Sequence, residues 1–191
     1  MMTIRWILAM RSQFRRPRSS FGHSLVARFR VGLSDLDMLR HMTNGRYLSI
    51  LDAARIDYMA RTGLWRHLRR RRWHPVVVAQ TISYRRPLTL GVRYEVVTTP
   101  LGFDTRNVYY QQTFRVEATV HAHAVVAVRI LDSRGSSVTP DLIRALPVTF
   151  SVPSTLPPWV VSWVASMHTA ADTTTNAGAD TTIDSHLGGS S

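Results

Sequence analysis

From Asn44 onward the apolar residues fall at helical spacing, with Tyr47, Leu48, Ile50, Leu51, Ala54, Tyr58 and Met59 on one broad stripe. Asn44 or Thr43 can cap the start, and Gly63 suits the position just past the end. The pattern predicts a helix of about 18 residues. Around it lie β-rich stretches. Leu25, Ala27, Phe29 and Val31 alternate with Arg28 and Arg30 over 24–33, the signature of a half-buried strand. After Pro75 four more stretches follow, at 76–84, 93–99, 105–116 and 119–131. The breaks carry Pro87, Gly91 and Gly102, and the pair Glu117-Ala118 suits a tight hairpin. Connections this short mean antiparallel meander pairing, not a doubly wound parallel sheet. The expected class is α+β: one strand, one long helix, then four strands.

The segment between the first strand and the helix reads D-L-D-M-L-R-H-M-T-N-G-R-Y over 35–47. A helix start exposes unpaired N–H groups, a ready site for an anion or a polarised carbonyl. Two carboxylates delivered to such a site outline an active centre. Each acid has a plainer reading, because Asp side chains also cap loops through nearby N–H groups. A divalent metal on the pair would find only His41 as a further ligand nearby.

The zeros in the composition narrow the chemistry. The chain has 191 residues and no Cys, which removes disulfides, thiolate zinc sites and Cys nucleophiles. It has no Lys either, so all 24 basic residues are Arg. That removes a phosphate loop with its Lys, a Schiff-base Lys and a Ser-Lys dyad. It also weighs against the phosphotransferases whose D-x-D signature works with a Lys. No G-x-S-x-G elbow is present, which argues against a serine hydrolase.

Charge is distributed unevenly, with 16 of the 24 Arg in residues 1–75 and none in 145–191. A basic body suits a polyanionic partner: nucleic acid, anionic lipid, or a phosphorylated small molecule such as coenzyme A. The run Arg69 to Arg72, flanked by Trp65 and Trp73, is the strongest argument for nucleic acid. No helix-turn-helix, zinc finger or RNP-type strand accompanies it, so a solvated basic face is preferred. Residues 1–21 form a basic segment whose Trp6, Ile7, Met10 and Phe14 share helical spacing. It suits either packing on the domain or peripheral contact with anionic lipid, and its apolar run, Ile4 to Met10, is too short to span a bilayer. His121 and His123, two apart on a strand, make half a zinc site with no third ligand evident. Residues 22–150 are expected to form the domain. Residues 151–191 read as a largely disordered tail with Trp159 and Trp163 four apart.

Four fragments in order resemble one family: residues 35–47, Asp52 to Arg55 (DAAR), Tyr84 to Pro87 (YRRP) and Leu101 to Asp104 (LGFD). Together, over roughly 22–146, the chain resembles the 4-hydroxybenzoyl-CoA thioesterase-like branch of the hot-dog superfamily, and is most similar to its acyl-CoA thioesterase-like members. The resemblance implies a hot-dog fold, a long central helix wrapped by an antiparallel sheet of about five strands. It implies a cytoplasmic homodimer or dimer of dimers, with active sites shared across the subunit interface. The substrate would be an acyl-CoA or acyl-carrier thioester, and no metal or organic cofactor is required. The second Asp of D-x-D, here Asp37, would be catalytic, as nucleophile or as base for water. Amides at Asn44 and Gly45 would hold the oxyanion, with Arg40 and His41 as further substrate contacts. Arg85 and Arg86 are candidates for the coenzyme A phosphates. One position departs from the family: Arg40 stands where its members usually carry Gly. The alternative function is a non-catalytic hot-dog protein that binds acyl-CoA or acyl chains.

Overall fold

The computed structural model describes residues 19–153 and 155–177. The amphipathic pattern at 1–18 therefore lies outside the described residues. The chain divides into two compact units, 1–155 and 156–191.

In the first unit the helix α1 spans Asn44–Arg61, the 18 residues that its apolar stripe demands. Thr43 is its N-cap, and its Oγ1 accepts from the Arg46 N–H at 3.3 Å. A second helix, α2 (Leu64–Arg71), follows one turn later. Five strands complete the unit: β1 (Leu25–Arg30), β2 (His74–Tyr84), β3 (Arg93–Phe103), β4 (Asn107–Val116) and β5 (Thr119–Leu131). They form one sheet in the order β1-β3-β4-β5-β2, with every pairing antiparallel. This helix-and-sheet arrangement is the hot-dog fold. A short α3 (Pro140–Arg144) closes the unit's regular structure.

The core lies between α1 and one sheet face. Tyr47, Ile50, Leu51, Ala54 and Tyr58 are buried, and so are Val96, Phe114, Ala122, Ala124 and Val126 of the strands. Ring pairs mark the contact: Tyr47 with Phe114 at 4.9 Å and Tyr58 with Tyr110 at 5.9 Å. The LGFD fragment has a structural task. Pro100 and Gly102 flank a bulge in β3, and Asp104 caps the turn to β4 through the N–H groups of Arg106 and Asn107 at 2.6 Å.

The edges of the sheet differ. At one end β2 is 11 residues long, carries no charge, and leaves Val76, Val77 and Val78 37–42% exposed. Its only irregularity is a bulge between Val77 and Ala79. An apolar edge of this length presents a row of unpaired backbone groups.

The second unit differs from the sequence expectation. A helix α4 runs Pro158–Ala177, within the 151–191 stretch whose composition predicted a largely disordered tail. The apolar residues Trp159, Val160, Trp163, Val164 and Met167 share helical spacing and start it, and the following Ala/Thr run continues it. Trp159 is exposed and Trp163 half-buried. Residues 178–191 lie outside the description. No helix among the described residues is long and apolar enough to cross a membrane.

Candidate active site

The loop between β1 and α1 is a small hairpin. Leu36 bridges Met42, the Asp37 N–H donates to the His41 carbonyl at 2.9 Å, and the Arg40 N–H donates to the Asp37 carbonyl at 3.0 Å. Three residues, Met38, Leu39 and Arg40, form its tip. In hairpins of this size the third loop residue takes the left-handed region, where Gly is favoured. Arg40 sits there with φ 62°. Gly would take this torsion without strain, whereas Arg holds it at a cost of about 1–2 kcal/mol.

The two acids behave differently. Asp35 is buried: its Oδ2 accepts from the Gly32 N–H at 2.8 Å, and its Oδ1 lies 2.6 Å from the Arg46 Nε. Its carbonyl also accepts the Thr43 N–H at 3.0 Å. Asp35 therefore ties the loop to the first turn of α1. Asp37 is exposed, and its Oδ1 accepts from the N–H groups of Leu39 (2.8 Å) and His41 (3.1 Å). The loop capping considered for each acid is made by both, by Asp35 at the Gly32 N–H and by Asp37 at the N–H groups of Leu39 and His41. Its Oδ2 takes no hydrogen bond among the described residues, so one oxygen aims the carboxylate and the other remains available.

Asn44 and Gly45 open α1 immediately beyond the loop, both exposed. Their N–H groups precede the first intrahelical bond, and they find no partner among the described residues. A Cβ placed on Gly45 would meet nothing within 4 Å. The helix dipole adds positive potential at that open end. Met38 and Leu39, 99% and 75% exposed, place apolar surface beside it.

The segment after β2 joins the same neighbourhood. The N–H groups of Arg85 and Arg86 both donate to the His121 carbonyl, at 2.8 and 3.1 Å, and both side chains are exposed. Leu88 is fully buried and its carbonyl accepts the Met42 N–H at 2.8 Å; Thr89 bridges His41. Asp37, Arg40, His41, Asn44 and Gly45 thus share one continuous loop and helix start, with the Arg85–Arg86 segment stitched to it. His121 and His123 lie on β5, where burial and then the Arg85 charge lower the His123 pKa. Among the described residues no three His, Asp or Glu side chains group to hold a metal.

Sequence reasoning missed an internal network between α1 and strands β3 and β4. Arg55, only 4% exposed, donates to the Gln112 Oε1 at 2.5 Å and pairs with Asp52. Gln112 in turn donates to the Leu51 carbonyl (3.0 Å) and to Thr98 (3.1 Å). Burial lowers the Arg55 pKa, which the Asp52 charge opposes. The polar Gln amid the alternating β4 pattern was the available signal.

Residues 31–164 match the thioesterase-like superfamily. The zebrafish Protein THEM6 is 36% identical over 131 residues, 69% of this chain, and the match spans 64% of that protein. Among solved structures, a probable thioesterase from Escherichia coli superposes with TM-score 0.58 at 22% identity, covering 61% of this chain and 90% of that one. A 1,4-dihydroxy-2-naphthoyl-CoA thioesterase from Synechocystis gives 0.56 at 13% identity, covering 64% and 93%. At such identities the structures speak for the fold, while the sequence match over more than half the chain speaks for descent. The chain belongs to the thioesterase-like superfamily.

Proposed function

We propose that this protein hydrolyses a thioester of coenzyme A or of an acyl carrier to a free acid and a thiol. The observation that carries the reading is the Asp37 carboxylate, aimed by two loop N–H groups through Oδ1 and free at Oδ2, beside the open amides of Asn44 and Gly45. Two routes use this geometry. As base, Asp37 takes a proton from water, the water oxygen attacks the carbonyl carbon, and the proton passes to the departing thiolate as the C–S bond breaks. As nucleophile, its oxygen attacks the carbonyl carbon and the C–S bond breaks, giving an anhydride and a thiolate; water then opens the anhydride to the free acid and the Asp37 carboxylate, and its proton passes to the thiolate. In both, negative charge grows on the carbonyl oxygen, where the helix amides and dipole stabilise it.

Thiol release across a graded acyl-CoA series, with acyl-carrier thioesters beside it, tests the reading. Release at saturable rates is expected for at least one chain length. A series that runs at the buffer rate throughout overturns it.

The neutral β2 edge supports a homodimer that extends the sheet across a two-fold axis. Val77→Arg would bring an uncompensated charge from each copy to such a seam. Light scattering should then report monomer where the parent protein reports dimer; an unchanged mass removes β2 from the interface.

Arg40 favours a second reading, a non-catalytic binder of acyl-CoA or acyl chains. Arg40→Gly separates the two. Relief of the left-handed torsion should raise stability by about 0.5–1 kcal/mol, read as a higher urea midpoint at constant slope. Thiol release in both proteins supports the enzyme, and release only in the Gly variant supports the binder.

A further inference from the structure

We propose that the Arg69–Arg72 run of one subunit binds the phosphates of coenzyme A in its partner's active site. The inference rests on the thioesterase reading and on the β2-edge dimer, and it adds a site that neither contains.

Helix α2 buries Leu64, His67 and Leu68 and turns Arg66, Arg69, Arg70 and Arg71 to solvent; Arg72 follows in the left-handed cap, φ 56°. The cap is closed by the Trp73 N–H on the Leu68 carbonyl at 2.9 Å, so the run ends in a fixed geometry. None of these five guanidinium groups pairs with a carboxylate among the described residues. The chain has no acidic residue between Asp57 and Glu95 to answer them. The Arg71 guanidinium lies 5.6 Å from the Trp73 ring. The neighbouring His67 registers the field: burial lowers its pKa, and the Arg66, Arg71 and Arg70 charges lower it further. Five such charges held close together repel one another and call for a polyanion.

Position decides which site they serve. The run leads directly into His74, the first residue of β2, whereas Tyr84 at the other end leads through Arg85 and Arg86 to Thr89 and the Asp37 loop. The 11 residues of β2 set its ends ~33 Å apart at about 3.3 Å per residue, so the run stands far from the Asp37 of its own subunit. Pairing two copies of β2 antiparallel about a two-fold axis reverses this. The His74 end of one then meets the Tyr84 end of the other, and the partner's arginine run faces Arg85, Arg86 and the Asp37 loop. A thioester at Asp37 whose leaving thiol carries a nucleotide would send its phosphates into that cationic wall. Arg suits the task through paired donors to phosphate oxygens.

The test uses the full chain with Arg69→Gln, Arg70→Gln, Arg71→Gln and Arg72→Gln combined, and two esters of one acyl group, to coenzyme A and to pantetheine without phosphate. These are surface changes, and circular dichroism with a urea midpoint verifies the fold. The discrimination between the esters in kcat/KM should fall by roughly 10- to 100-fold through KM, as expected for lost charge-assisted hydrogen bonds. Free coenzyme A should bind more weakly by calorimetry to the same degree. Unchanged discrimination and unchanged binding overturn the proposal. Should the parent protein hydrolyse neither ester yet bind coenzyme A through these arginines, the thioesterase reading falls and phosphate binding stands. A mixed dimer settles the subunit question, with Asp37→Asn on one chain and the four Gln on the other. Its one competent Asp37 faces the intact run only if the run works across the interface, which predicts the parent KM. A KM as high as that of the four-Gln homodimer overturns the trans assignment.

Discussion

Replacing Asp37 with Asn should lower kcat by about 10²–10⁴-fold while leaving the fold in place. The substitution is chosen for what it keeps. An amide oxygen at the Oδ1 position still accepts from Leu39 and His41, so the hairpin retains both bonds that shape it. What disappears is the charge and basicity of Oδ2, needed whether Asp37 attacks or activates water. The loss should appear in kcat and kcat/KM together, the pattern of an interaction made in the transition state. Thiol release should be followed beside a urea titration. Equal rates for variant and parent across the acyl-CoA series would reduce Asp37 to the loop-capping role that its Oδ1 bonds describe.

The second large effect concerns stability. Gln112→Leu keeps the volume of a fully buried side chain but removes the acceptor for the Arg55 guanidinium. Arg55 is then left with Asp52, whose side chain is 60% exposed and draws the cation toward water. An under-partnered buried cation costs about 2–4 kcal/mol, and the Leu51 and Thr98 bonds are lost with it. The urea midpoint should fall accordingly with its slope unchanged. A second change, Arg55→Met, should recover part of the loss, because an apolar pair needs no partners. A single-variant cost below about 1 kcal/mol would mean that water replaces Gln112 at the guanidinium.

Most of the architecture was legible because its signals are periodic. The α1 stripe fixed length and buried face together, since 3.6-residue repetition over five turns leaves no other element to propose. The strand boundaries moved where alternation carries no information: β3 extends through the Pro100–Gly102 bulge, and β2 begins at His74, before the apolar run. Helix α2 read only as a solvated basic run because its arginines outnumber its apolar residues; three buried side chains sufficed to dock it. At the site, D-x-D announced itself, but the division of labour did not. Which acid is buried depends on Arg46 and Gly32, one of them a backbone group that no motif records. The Arg40 departure likewise became intelligible only as a torsion angle. The Arg55–Gln112 network joins residues 57 apart in sequence, beyond the reach of any local pattern.

The Asp35 brace has a consequence for how the site responds to change elsewhere. Because Asp35 holds Gly32, Thr43 and Arg46 at once, the hairpin that carries Asp37 and the helix start that carries the amides form a single lever. A shift of α1 against the sheet would draw the loop along with the helix start through these three bonds. Substitutions deep between helix and sheet are then expected to alter how long the domain survives, while the Asp37 loop keeps its place against the helix start.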